Sequence, residues 1–122
     1  MQQLDIGSTR FTAVWVMDEL GPGGAHHRYE ITPSGTADAA PEAMVPISVQ
    51  FQHGPIGEAG VNGCHQEDLL AIVMHRLQCF QAGPYACREN ALALRNIEEA
   101  MFWLNTRTAE REQRGVEGTS AV

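Results

Sequence analysis

Hydrophobic and polar positions along the chain follow two periods, one after the other. From Phe11 to Met17, Phe11, Ala13, Trp15 and Met17 alternate with Thr12, Val14 and Val16, which predicts a strand that ends at the turn Gly21-Pro22-Gly23-Gly24. A hairpin partner follows from His26 to Thr32, with His27, Tyr29 and Ile31 on one side and His26, Arg28 and Glu30 on the other. Pro33-Ser34-Gly35 closes it, and the alanine-rich stretch 36–42 reads as a loose connection. Val45, Ile47, Val49 and Phe51 then alternate with Pro46, Ser48, Gln50 and Gln52, a third strand whose proline suits an edge or a first residue. The first part of the chain is therefore expected to be a small antiparallel sheet, residues 1–52.

The period then lengthens. After a loop from His53 to Gly63, a helix begins near His65, with Glu67 and Asp68 in its first turn, where carboxylates favour the positive end of the helix dipole. Leu69, Leu70, Val73, Leu77 and Phe80 fall at helical spacing over about four turns, until Gly83-Pro84 breaks the pattern. A second helix is expected from about Ala86 to Gln113, with Leu94, Ile97, Met101 and Leu104 forming one apolar seam and Gly115 in the stop position. Residues 53–122 thus read as a glycine-rich loop, an antiparallel helical hairpin and a tail, and the whole as one α+β domain.

Composition narrows the function classes. Fifteen acidic residues against eight basic ones give 122 residues a formal net charge of −7, so a DNA- or RNA-coating role, which needs many bases against phosphates, is not expected. All eight bases are arginine, so any phosphate would be held by a few placed guanidinium groups. The longest apolar run, Leu69 to Met74, is too short to span a bilayer, and Met1-Gln2-Gln3-Leu4-Asp5 lacks the blocks of a signal peptide. With three cysteines (Cys64, Cys79 and Cys87) leaving one thiol over in any pairing, a cytosolic, reducing compartment is expected. Cys64-His65, His75 and Cys79 match no zinc spacing, the glycines of 54–63 match no Walker or dinucleotide fingerprint, and no nucleophile pairs with a base.

The second helix carries the chemistry. Stepping back from Leu94 by four and three reaches Asn90 and Cys87, and stepping forward from Leu104 by three and four reaches Arg107 and Arg111. Asn90 reads either as a polar residue fixing the register of a helix interface or as a group that reads a base or ribose. Arg107, Arg111 and Arg114 read either as cations at a helix C-terminus or as forks for phosphate. Asn90 and Arg107 are seventeen residues apart, about 25 Å along a helix, so one small ligand cannot touch both in one copy. An antiparallel two-fold dimer would bring Asn90 of one chain near the arginines of the other.

The run Phe80-Gln81-Ala82-Gly83-Pro84-Tyr85-Ala86-Cys87-Arg88-Glu89-Asn90-Ala91-Leu92-Ala93-Leu94, with Thr106-Arg107-Thr108 and Arg114-Gly115-Val116-Glu117-Gly118-Thr119, resembles the phage Thoeris anti-defence sponge family. That family shares its helical hairpin with the phage anti-CBASS sponge. His53-Gly54-Pro55, Gly60-Val61-Asn62-Gly63 and Glu67-Asp68-Leu69-Leu70-Ala71-Ile72 match it as well, so the resemblance covers about 51–119. It implies a cofactor-free binding protein that captures, without cleaving, cyclic ADP-ribose isomers made by host TIR-domain proteins, inside the infected bacterium. It further implies a homodimer, with hexamers assembled as trimers of dimers in some members, and cyclic di- or trinucleotides taken up at separate sites. By motif position the ligand contacts would be Phe80, Asn90, Arg107 and Arg111.

Each residue type suits its implied role. Phe80, otherwise a core aromatic closing the hairpin, offers a face for adenine stacking, worth roughly 1–3 kcal/mol per base. Arg107 and Arg111, one turn apart, can fork onto a pyrophosphate from one side. The tail from Val116 to Thr119 and the glycine-rich loop are candidate lids. Two rivals stand beside this reading: an enzyme that degrades the same signal, and a purely structural helical oligomer.

Overall fold

The computed structural model describes residues 1–6, 11–34 and 45–121; the alanine-rich connection lies outside them. The chain is α+β, an antiparallel sheet followed by a helical hairpin, and it divides into two compact units at the Cys64–His65 junction.

In the first unit four strands stand in sequence order, β1 (Gln2–Gln3), β2 (Thr12–Val16), β3 (Arg28–Pro33) and β4 (Ile47–Gln50), each antiparallel to the next. Every residue from Ala13 to Met17 is apolar, so alternation alone leaves the core-facing side of β2 open. Register shows which side chains group together, although the two buried residues, Ala13 and Val16, lie on opposite faces. Val14 pairs with Ile31, Val16 with Tyr29, Tyr29 with Val49 and Ile31 with Ile47. Directly paired residues share a face, so these six side chains make one apolar surface. Trp15 lies on the other face opposite Glu30, its indole N–H donating to Thr32 Oγ1 at 3.0 Å. Tyr29 meets Phe51 edge to face with ring centroids 5.7 Å apart.

The turn joining β2 to β3 is held by Asp18. Its Oδ2 accepts the His27 backbone N–H at 2.9 Å, and its carbonyl accepts from the His26 ring Nδ1 at 2.8 Å. Desolvation pushes the Asp18 carboxyl up, but the backbone N–H groups of His27 and Arg28 and the charges of His26 and His27 together hold it below its ordinary value. A depressed carboxylate contributes stability at pH above its unfolded value, about 3.9, and loses it as pH falls through the folded value. Acid titration followed by Trp15 fluorescence should show the sheet loosening below about pH 4, and Asp18→Asn should flatten that limb.

The glycine-rich loop is more ordered than its composition predicts. It holds a short helix, α1 (Ile56–Ala59), and is clamped by Gln52 and Asn62. Gln52 Nε2 donates to the Gly54 and Gly60 carbonyls and its Oε1 accepts from Asn62 N–H at 3.0 Å, while Asn62 Oδ1 accepts from His53 N–H at 2.8 Å. The loop returns to β4 through Cys64, whose N–H donates to the Gln50 carbonyl and whose carbonyl accepts from Gln52 N–H, both at 2.9 Å.

The second unit is the hairpin of α2 (Gln66–Gln81) and α3 (Arg88–Gln113). Asp68 Oδ2 accepts the His65 N–H at 2.8 Å at the start of α2, and at the start of α3 the Cys87 sulfur accepts from Asn90 N–H at 3.4 Å. At the far end, Gly115 takes φ +72°, its N–H donates to Glu112 O, and Val116 N–H donates to Arg111 O, both at 3.0 Å. That pair of bonds satisfies terminal carbonyls and turns the chain back over the helix end, a geometry that favours glycine.

Burial along α3 follows one line. Asn90, Leu94, Ile97, Met101, Leu104, Thr108 and Arg111 are its less exposed positions, spaced four and three throughout, and Glu67, Leu70, Met74, Leu77 and Gln81 repeat the spacing on α2. No apolar residue of either helix is fully buried, and Ile72, Tyr85, Phe102 and Trp103 are each more than half exposed.

Candidate ligand-binding site

Phe80 and Asn90 stand at the turn end of the hairpin, one on the last turn of α2 and the other on the first turn of α3. The Arg76 guanidinium lies over the Phe80 ring at 5.0 Å from its centroid, and Tyr85 meets it edge-on with centroids 6.4 Å apart. A cation over a π face is attracted by the ring quadrupole, so Arg76 occupies part of the surface that the sequence assigns to stacking. Arg76 is four residues before Phe80, a spacing legible in the sequence, and it carries a positive charge into this corner. The turn is fixed by Gln81, whose Oε1 accepts from Cys87 N–H at 3.0 Å. Asn90 is half-buried, and its carboxamide makes no hydrogen bond with the described residues, leaving a donor pair and an acceptor for another molecule.

The three arginines at the end of α3 differ. Arg107 is exposed and makes no hydrogen bond or ion pair with the described residues. Arg114 pairs with Glu110 through its Nε, one turn back on the same helix. Arg111 is only 6% exposed, with Nη1 donating to Ala121 O at 2.6 Å and Nη2 to Val116 O and Thr119 O at 3.0 and 3.2 Å. Its Nε lies 3.3 Å from Glu117 Oε2. Stepping forward from Leu104 by three gives Arg107, but the buried seam steps by four to Thr108 and reaches Arg111 by three more. Arg107 therefore stands beside the seam, open to solvent, while Arg111 ends it under the tail.

The four residues thus form two groups in one copy. Phe80, ending α2, and Asn90, starting α3, are at the turn, and Arg107 with Arg111 are at the far end of α3, Asn90 and Arg107 about 25 Å apart. Sequence reasoning missed Arg76, Tyr85 and Glu117; the first two adjoin Phe80 through i, i+4 spacing and the turn, whereas nothing in the pattern points Glu117 at Arg111. Among the described residues no helix is long and apolar enough to cross a membrane, and no group of His, Cys, Asp and Glu converges as a metal would require.

The family model described as the hairpin domain of Acb2/Tad1 matches residues 45–109, more than half of the chain. Phe80, Asn90 and Arg107 lie inside that span and Arg111 just beyond it. A curated protein of Bacillus phage SBSphiJ7 named Thoeris anti-defense 1 is 61% identical over 72 residues, which is 59% of this chain and 51% of that relative. The chain spans about half the length of the curated relative it matches. With the matched span taking in the last strand and nearly all of the hairpin, the chain belongs to the Acb2/Tad1 hairpin family.

Proposed function

We propose that this protein is a phage anti-defence sponge that binds a cyclic ADP-ribose isomer made by host TIR-domain proteins in the cytoplasm of the infected bacterium and holds it without cleaving it. The observation that carries the reading is the division of the candidate site into two groups about 25 Å apart on α3, each with unsatisfied chemistry. The Asn90 carboxamide and the Arg107 guanidinium have no partner among the described residues, yet neither end alone offers a base platform and a phosphate fork. Two antiparallel copies related by a two-fold axis join the Phe80–Asn90 corner of one to the Arg107–Arg111 end of the other, twice.

Exposed apolar surface supports the assembly. Trp103 and Phe102 are 61% and 60% exposed in the single chain, an arrangement expected of a helix face that a second copy covers. Enclosing the ligand between copies also suits the affinity that a sponge requires, nanomolar or about −12 kcal/mol. Dimers that associate further as a trimer give the hexamer, with cyclic di- or trinucleotides at sites of their own.

The experiment is recovery of ligand. The protein is mixed with the ribose–ribose-linked cyclic ADP-ribose isomer, separated from free ligand, heated to denature it, and the supernatant assayed. Stoichiometric return of unmodified ligand supports capture; its disappearance at substoichiometric protein would establish an enzyme instead. Light scattering on the same sample reads the mass, and a monomer that still binds would remove the two-copy site.

A further inference from the structure

The state of Arg111 has a consequence for how a ligand enters. Its guanidinium has five N–H groups; Nη1 and Nη2 donate to the Val116, Thr119 and Ala121 carbonyls, and Nε lies in an ion pair with the Glu117 carboxylate. An arginine so engaged has no fork to present to a phosphate. Glu117 supplies an anionic oxygen to the Nε side of the guanidinium, the same acceptor chemistry that a phosphate would bring. One turn back, Arg107 carries the same group with no partner among the described residues. We propose that the C-terminal tail is an internal competitor: Glu117 and the carbonyls of Val116, Thr119 and Ala121 occupy Arg111 in the free protein, and a bound phosphate takes Arg111 from them.

Release of the tail is within reach of a ligand. Glu117 is 38% exposed at its side chain, so its pair with Arg111 is partly screened by water. Within the tail itself the bonds are local, Thr119 N–H and its hydroxyl to Val116 O and Ala121 N–H to Thr119 Oγ1 at 3.2 Å, and none of them reaches the helix. What holds the segment to the helix end is chiefly the one guanidinium. The bonds at Gly115 that reverse the chain belong to the helix terminus and survive when the segment beyond them lifts away. A dianionic group that spans Arg107 and Arg111 meets at the first a fork with no partner among the described residues, and at the second replaces one carboxylate and three carbonyl acceptors. The tail therefore opens on binding, the opposite of a lid that closes.

This inference rests on the proposed phosphate contact at Arg111, and the test separates the two. Hydrogen exchange of residues 116–121 is measured by mass spectrometry on the full chain, with and without the ribose–ribose-linked cyclic ADP-ribose isomer at saturation, beside calorimetric titration of Glu117→Gln. Competition predicts faster exchange at Thr119 and Ala121 with ligand bound, and about two- to fivefold tighter binding by Glu117→Gln, the range set by a partly exposed ion pair. Slower exchange with ligand, or binding by Glu117→Gln that is unchanged or weaker, would make the tail a part of the closed pocket and overturn the competition while leaving capture intact. Failure of the unaltered chain to bind the isomer at all removes the functional reading and the competition with it.

Discussion

Arg107→Ala is expected to weaken capture of the cyclic ADP-ribose isomer by at least about a hundredfold, because two charge-assisted hydrogen bonds to phosphate contribute about 1.5–3 kcal/mol each. Thermal stability should hardly change, since this side chain is exposed and bonds to none of the described residues. Arg107→Lys keeps the charge and loses the planar fork, and should fall between the two. Calorimetry beside a melting curve gives both quantities. The decisive form mixes chains. In a two-fold pair each pocket takes Asn90 from one copy and Arg107 from the other, so an Asn90→Ala chain paired with an Arg107→Ala chain has one pocket with both residues intact and one with neither. Each mixed dimer should recover one of its two pockets, so a freely exchanging equal mixture should regain about a quarter of the binding capacity, at the unaltered affinity. If the mixture stays inactive while the mixed dimer forms, both residues of a site do not come from different copies.

Gly63→Ala should carry the largest cost to stability. A Cβ at Gly63 would stand 2.5 Å from both the carbonyl carbon and oxygen of Phe51 and 2.7 Å from the Gln50 oxygen. These are backbone atoms of β4 and its continuation, and they cannot rotate aside as a side chain does. The methyl group must push the strand end away, breaking the bonds between Cys64 and both Gln50 and Gln52. Overpacking together with two lost backbone bonds amounts to about 2–4 kcal/mol. The melting midpoint of the sheet should fall by on the order of 10 °C. Gly83→Ala is the control: its nearest non-neighbour atom is the Cys79 carbonyl oxygen at 3.6 Å, an ordinary contact. Equal melting of the two variants would contradict the close approach at Gly63.

The hairpin was legible because its pattern is local. Leu94, Ile97, Met101 and Leu104 fix a helix face by spacing alone, and Gly83-Pro84 and Gly115 mark its breaks through backbone geometry that needs no partner. The sheet was legible as three strands, since Tyr29 with Ile31 and Val49 with Phe51 alternate plainly. The two-residue strand Gln2–Gln3 was not, because it is polar and exists only by pairing with Val16 and Trp15. Nor was the face of β2 legible: the run from Ala13 to Met17 is apolar at every position, and only pairing with Tyr29 and Ile31 assigns Val14 and Val16 to the shared apolar face. Likewise four glycines in 53–63 mark a loop without its closure, which Gln52 and Asn62 supply by bonding across ten residues.

At the candidate site the same division holds. The sequence by itself determined that the chain is a sheet followed by a helical hairpin, that its basic side chains are all arginine, and that Asn90 and the pair Arg107 with Arg111 fall at opposite ends of one helix, with Phe80 ending the helix before it. Those facts follow from periodicity, turn chemistry and a fixed rise per residue. Only the tertiary structure decided that two arginines one turn apart are in different states. Arg107 lies beside the seam and bonds to none of the described residues, whereas Arg111 lies at its end, where the reversal at Gly115 returns the tail carbonyls and Glu117 to its guanidinium. Hydrogen-bond satisfaction depends on where the chain goes after the helix stops, and that is settled by packing in space.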